Sequence, residues 1–411
     1  MKNTFAVLFV VGFCVQVSAD AVGTTTQLSS GSATDQQNAP TISGPLVVWT
    51  NASTDSNGTN FDLILLNLTT GVPINLTSTS DAQEFLNDVD GSTVVWTRTD
   101  SGHPGDIVAY DTQTGSMTTV AASTATTFFQ QPAVRGHRVA FLRVGTTVDV
   151  RLVDLTSGIL TSVTNDVAIQ LRPRLGDDVV VYEDYSNGNA DIQAYRLSTG
   201  THFSIATGPY DELTPDIDGH TIVWAAHING SDQIFAFDLT TGTTHQLTTS
   251  VGSKIAPRIS GNRVVWSDDR NGNLDIYMYD FSTGTEEPLV TGAGDQFLAD
   301  IDGDRVVYTA NATGFEQVYL FTFGTPVPQV SDLQGLVQSF NLKQGIAKSL
   351  TAKLGSAESA ITTGDLGTAC GVLWAFINEV QAQTDKGITP SQSNQLIAMA
   401  TAVRSSLGCL P

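Results

Sequence analysis

Along most of this chain the apolar residues come in short alternating runs, and the runs repeat. The clearest unit reads Pro257-Arg258-Ile259-Ser260-Gly261-Asn262-Arg263-Val264-Val265-Trp266, then Asp275-Ile276-Tyr277-Met278-Tyr279-Asp280 and Ser282-Thr283-Gly284. β-Branched and aromatic residues alternating with polar ones have the period of a half-buried strand, and the Gly, Asn and Ser-Thr-Gly clusters between runs are turn formers. The aromatic closing the second run falls at Trp49, Trp96, Phe141, Tyr182, Trp224, Trp266 and Tyr308, with spacings of 47, 45, 41, 42, 42 and 42 residues. Each unit has room for four strands: an inner Pro-x-Ile strand, the Val-Val-Trp strand, the Asp-Ile-Tyr strand, and an outer strand ending as Leu247-Thr248 does. Such units predict a mainly β fold, a seven-bladed β-propeller, with six blades as the fallback.

The two ends of the repeat complete each other. The seventh unit reaches Gln317-Val318-Tyr319-Leu320 and then meets Pro326 and Pro328 with no outer strand, while Thr24-Thr25-Thr26-Gln27-Leu28-Ser29 is an orphan outer strand before the first Pro40. The N-terminal strand is therefore expected to close the last blade and remove an exposed sheet edge. Beyond Pro328 the spacing turns helical. Leu333, Leu336, Val337 and Phe340 form one apolar set, and Ile346, Leu350, Leu354, Ala357 and Ile361 a second, ended by Gly364. Asp365 is the expected cap of a helix in which Cys370, Leu373, Trp374, Ile377 and Val380 face inward, Gly387 follows its end, and Thr389-Pro390 opens the last helix. The expected organisation is a signal peptide over residues 1–19, the propeller over 20–325, a linker over 326–331 and a small all-α domain over 332–411.

The repeated phrase, with its Asp-Ile-Tyr-x-Tyr-Asp and Ser-Thr-Gly continuation, resembles the TolB-like propeller repeat over about residues 24 to 325. The family's namesake binds a lipoprotein partner at the bacterial outer membrane and carries an extra N-terminal α/β domain for which this chain has no room. The resemblance implies the fold; because one fold hosts many functions, partner binding is the expectation it leaves for this chain rather than a role it specifies. From Leu336 to Cys409 the chain resembles the FIMAH-type helical domain of secreted, multidomain bacterial proteins, on Ser349-Leu350-Thr351-Ala352-Lys353-Leu354, Ala369-Cys370, Ala375-Phe376-Ile377 and Leu407-Gly408-Cys409.

Composition sharpens this picture. Lys2, the apolar run from Phe5 to Val17 and the small residues Ser18-Ala19 read as a secretory leader, so a secreted or periplasmic location is expected, with no integral membrane segment after cleavage. Phe13 before Cys14 departs from a lipoprotein signal. Cys370 and Cys409 remain in the exported chain, and an oxidising destination makes their pairing the expectation. With 41 acidic against 19 basic residues the net charge is -22, which sets nucleic acid aside as a partner.

Chemistry is sparse in the sequence. His103, His137, His202, His220, His227 and His245 sit in different repeats without metal-ligand spacing, and no hydrolase elbow, zinc-protease or phosphate-loop motif occurs, so no catalytic residue is assigned. Two loops, Asp184-Tyr-Ser-Asn187-Gly-Asn189-Ala-Asp191 and Asp269-Arg-Asn271-Gly-Asn273-Leu-Asp275, alternate carboxylate and amide oxygens around a glycine. They read either as Asn-Gly hairpins or as Ca²⁺ loops, the one cofactor in view. Stacking the repeats aligns Thr41, Asp88, Ala133, Arg174, Asp216, Arg258 and Asp300 after the Pro slot, and Ser43, Asp90, Arg135, Gly176, Asp218, Ser260 and Asp302 two residues on. Asp88, Arg174, Asp216, Arg258 and Asp300 should ring the axis, either as inter-blade ion pairs or as a polar funnel for a ligand. The sequence thus points to a secreted or periplasmic non-catalytic scaffold binding a protein or cell-surface glycan. The alternatives are a polysaccharide-active enzyme, whose acidic or histidine side chains would have to converge at one face, and a structural surface protein.

Overall fold

A computed structural model describes residues 23–32, 35–55, 58–79, 81–323, 330–362, 365–407 and 409. The expected leader, most of the expected linker and the Gly364 helix stop lie outside the described residues. The chain divides into two compact units at Phe323 and Gly324.

The first unit is a seven-bladed propeller of four-stranded antiparallel sheets. Blades 1 to 7 start at the inner strands Asp35–Ser43, Gln83–Asp90, Phe128–Arg135, Gln170–Leu175, Glu212–Asp218, Lys254–Ser260 and Gln296–Asp302. The N-terminal strand Gly23–Gln27 supplies the outer strand of blade 7, pairing antiparallel with Gln317–Phe323 from Gly23 opposite Phe323 to Gln27 opposite Tyr319. All seven closing aromatics are buried, none more than 3% exposed. Each packs between blades, and among the described residues every pair of neighbouring blades shares one apolar cluster, as Trp266 and Ile259 of blade 6 do with Val223 and Ile234 of blade 5. The ring is held by interleaved blades rather than by one central core.

Every inner strand breaks register near its Pro slot, for example between Ile255 and Arg258. Proline, which fills the slot in five blades, has no N–H to give the ladder, and the same break, a bulge, occurs around Asn87 and Ala299 in the other two. In six blades the residue just before the slot is forced left-handed: Ala39, Leu86, Gln131, Arg172, Thr214 and Ala256, at φ between 49° and 53°. The bulge pushes the next side chain, that of Asp88, Arg174 or Arg258 among others, into the channel.

The second unit has four helices, α1 Val330–Ser339, α2 Gln344–Thr362, α3 Leu366–Gln383 and α4 Pro390–Ser406, around Leu333, Leu350, Leu354, Phe376, Ile377 and Leu396. Asp365 caps α3 by accepting from Thr368 N–H at 3.0 Å. Cys370 is joined to Cys409. One expectation is corrected: Trp374 is 49% exposed and stacks under Arg404 with 4.7 Å from guanidinium carbon to ring centre, while Phe376 takes the inward place. Leu373, Phe376, Ile377 and Val380 define the buried stripe, and Trp374 sits one helical step off it. Among the described residues no helix is long and apolar enough to cross a membrane.

Candidate functional site

The inner strands all run the same way, so the channel has two chemically different ends. At the face of the inner-strand turns, a cavity of about 290 Å³ is lined by both stacked slots, including Asp90, Arg135, Asp218 and Asp302. At the face of the Asn-Gly loops, a cavity of about 280 Å³ is lined by Leu86, Gln131, Pro132, Arg172, Arg174, Thr214, Pro215, Ala256 and Arg258, with Asn87. Arg174 and Arg258 line both. The structure therefore brings Asp88, Arg174, Asp216, Arg258 and Asp300 together around the axis, as the repeat alignment anticipates.

Their contacts are mostly not ion pairs. The carboxylate of Asp88 accepts the N–H of Val134 at 2.8 Å, Asp216 that of Ile259 at 2.9 Å, and Asp300 that of Ile42 at 2.9 Å. Blades 2, 5 and 7 thus each cap an unpaired inner-edge amide of the next, and Asp88 and Asp300 also accept from the N–H of Val89 and Ile301 in their own blades. The second slot repeats the device, with Asp90 on Gly136 N–H, Asp218 on Gly261 N–H and Asp302 on Gly44 N–H at 2.7, 2.8 and 2.6 Å, and Ser43 and Ser260 hydroxyls on Gly91 and Gly303. Arg174 lies 3.8 Å from Asp216, the one contact of the expected inter-blade kind in the first slot among the described residues. Arg258 donates to Pro257 O at 2.9 Å.

Protein surrounds these groups on every side although their tips reach the channel. Burial pushes the Asp88 carboxyl up to about 6 and that of Asp300 up to about 7, and pulls the Arg258 guanidinium below its ordinary value. At the turn-side mouth Arg135 reaches Asp177 at 3.0 Å and Asp218 at 3.3 Å, with Asp90 at 3.9 Å, so one side chain ties three other blades to its own. At the opposite mouth Arg172 is held by Glu183 at 2.8 Å, which also accepts from Thr214 N–H at 2.7 Å.

The paired loops place their residues within single blades, away from the axial ring. Asn187 donates to Asp191 at 2.6 Å and Asn271 to Asp275 at 2.7 Å; Asn189 and Asn273 donate to the same carboxylates and to carbonyls of the following loop. Asp184 accepts from Ser186 N–H and Gln170, and Asp269 from Ser253 N–H. Gly188 and Gly272 hold φ of 93° and 94°, as turns of this kind require. The asparagine N–H groups meet the carboxylates, so a bound Ca²⁺ would need the amides turned over to present their oxygens. Among the described residues no group of three or more His, Cys, Asp or Glu is arranged to hold a metal.

Sequence reasoning missed a further ring three residues before the Pro slot: Gln37, Glu84, Gln170, Glu212, Lys254 and Gln296, all buried. Five of the six pin the preceding inter-blade loop, while Gln37 bonds Asp35, Asn51 and Trp49 of its own blade. The Lys254 ammonium, for instance, donates to the carbonyls of Ser250, Val251 and Gly252 at 2.7, 2.7 and 2.6 Å. Burial raises Glu84 and Glu212 to about 7 each. The available sign was a polar residue at one repeat position within an otherwise strand-like pattern.

No family model and no curated protein matches the chain. Solved structures do. An oligogalacturonate lyase in complex with manganese aligns at 15% identity over 75% of this chain and 95% of its own, with a TM-score of 0.58. The β-propeller domain of the Trilobed protease from Pyrococcus furiosus, described as having an open velcro topology, aligns at 12% over 71% and 94%, with a TM-score of 0.57. TolB from Acinetobacter baumannii aligns at 16% over 68% and 80%, with a TM-score of 0.42, too low to carry an argument. At these identities the likeness is one of fold.

Proposed function

We propose that this protein is an exported, non-catalytic binding scaffold that docks a protein partner on its Asn-Gly-loop face, an acidic group of the partner meeting the basic mouth, while the helical unit serves attachment or assembly. The carrying observation is the make-up of that face. Leu86, Val167, Ile169, Tyr210, Val251 and Ile255 are exposed there, on inner-strand starts and inter-blade loops of neighbouring blades. They accompany a mouth lined by three arginines and no carboxylate, in a chain of net charge -22. Exposed apolar side chains with arginine are the usual material of a recognition surface, and the charge selects an acidic partner.

The test compares capture of envelope and extracellular proteins by the intact chain, by a Leu86→Glu/Ile255→Glu variant and by Met117→Glu, whose site lies on an outer strand. One protein retained by wild type and Met117→Glu, and lost by the double variant and at high salt, is the expected result. Equal capture by all three removes the reading. Binding of uronate-containing glycans that responds to the same variants would make the face a glycan site, and turnover of polygalacturonate would replace docking with catalysis.

A further inference from the structure

Among the described residues two of the seven inner-strand amides at the axis meet no carboxylate, side by side, whereas Val89 and Ile301, which follow Thr41 and Arg258, are received by Asp88 and Asp300 of their own blades. Where the preceding blade carries Asp88, Asp216 or Asp300, an inner-strand amide of the next blade is capped. Blade 3 carries Ala133 and blade 4 carries Arg174 at that position. The amides they face are those of Leu175 and Ile217, which antiparallel alternation aims into the channel just as it aims that of Val134. No carboxylate of the preceding blade receives either one.

The arginines there are also underused. A guanidinium has five N–H donors. Arg258 makes one hydrogen bond, to Pro257 O, and Arg174 makes one of 3.5 Å to Pro173 O beside its loose approach to Asp216. Elsewhere in this protein arginines are well engaged: Arg270 makes contacts to both Asp268 and Glu286, and Arg172 makes two to Glu183. Two open amides and two open guanidinia thus face one cavity of about 290 Å³.

We propose that this gap binds a small dicarboxylate, each carboxylate taking the place that an axial aspartate holds in the other blades, one on the Leu175 amide with Arg174 and the other on the Ile217 amide with Arg258. A protein carboxylate already satisfies the equivalent amides at three interfaces, so the acceptor chemistry is set by the fold itself. Asp88, Asp216 and Asp300 face the site, and Asp90, Asp218 and Asp302 line the same cavity beside Arg135, each turned to a glycine N–H of the next blade; burial raises the carboxyls of Asp88 and Asp300 to about 6 and about 7, which eases their repulsion of an anion. The site lies inside the channel and shares Arg174 and Arg258 with the loop-face mouth, so the Leu86 and Ile255 surface is varied separately to tell it from partner docking.

The experiment is calorimetry and thermal unfolding of the full chain with succinate, against succinamide and sodium chloride at matched ionic strength. Succinate alone should bind and raise the melting temperature. Arg258→Gln should weaken succinate at least tenfold. Ala133→Asp supplies the missing carboxylate, so it should raise the melting temperature of the ligand-free protein and weaken succinate at least tenfold. The Leu86→Glu/Ile255→Glu variant should bind succinate normally. Equal shifts with succinamide or salt, no response of the wild-type protein, or undiminished binding by Arg258→Gln would each overturn the proposal.

Discussion

The propeller and the helical unit face the same difficulty, a chain that must be fastened where its pattern stops, and they meet it with different chemistry. In the propeller the loose end is a sheet edge, a row of unpaired amides and carbonyls that only another strand satisfies, and residues 23–27 are that strand. In the helical unit the backbone is already satisfied within each helix, so fastening falls to side chains: a small buried stripe and the Cys370–Cys409 bond. Backbone hydrogen bonding dictates the remedy in one unit and leaves it free in the other. That contrast explains why the closing strand can be a run of exposed threonines with no apolar anchor in Thr24-Thr25-Thr26.

The largest effect that would break the comparison is removal of residues up to Gln27. Blade 7 would keep three strands and an open edge, and the propeller should lose roughly 3–5 kcal/mol from the net worth of the ladder hydrogen bonds, while the helical unit keeps its unfolding transition. Circular dichroism melts with limited proteolysis would show it; an unchanged propeller transition would mean closure is not what holds the ring. Next comes Cys370→Ser with Cys409→Ser. The bond closes a loop of 39 residues, worth about 3–4 kcal/mol in the chain-entropy model, and its loss should lower only the helical transition, with the propeller's midpoint unmoved.

The smallest effect separates the units by pH. Asp300 is raised to about 7 and Asp88 to about 6, both by burial, whereas in the helical unit the Thr368 N–H and hydroxyl hold Asp365 below its ordinary value. A carboxyl raised by folding holds its proton in the native state after the unfolded chain has released its own. It therefore adds stability at pH 4, and that addition is lost as pH rises toward 7. Propeller stability should fall across this window by on the order of 2 kcal/mol per group, and Asp300→Asn, which keeps an acceptor for Ile42 N–H, should flatten the slope. Urea titrations at pH 5 and 8 measure it, and a slope unaltered by Asp300→Asn would place the proton elsewhere.

Much of this was legible in the sequence for one physical reason: a period of about 42 residues makes each strand's pattern visible seven times. The blades, the borrowed strand and the axial ring all follow from stacking the repeats. What the ring's charges do was not legible. Aspartates beside arginines read as ion pairs, whereas Asp88, Asp216 and Asp300 turn instead to amides of the next blade, because an inner edge strand has donors that nothing else reaches. The loop-pinning ring escaped notice because Gln, Glu and Lys alternate at its position, and chemical identity hid a shared role. Trp374 was misplaced because aromatic character suggested the core, while the helical stripe through Leu373, Phe376 and Ile377 excludes it.

The caps between blades also have a direction. At the axis each runs from the carboxylate or hydroxyl of one blade to the amide of the following one, and none of those described at the two stacked slots runs backward. The propeller is accordingly a sentence rather than a wheel. Its blades look alike, but they are read in one order, and a blade bearing Ala133 or Arg174 set ahead of Val134, Ile259 or Ile42 would leave an amide without its acceptor. The junctions after Ala133 and Arg174 are where that order leaves an opening.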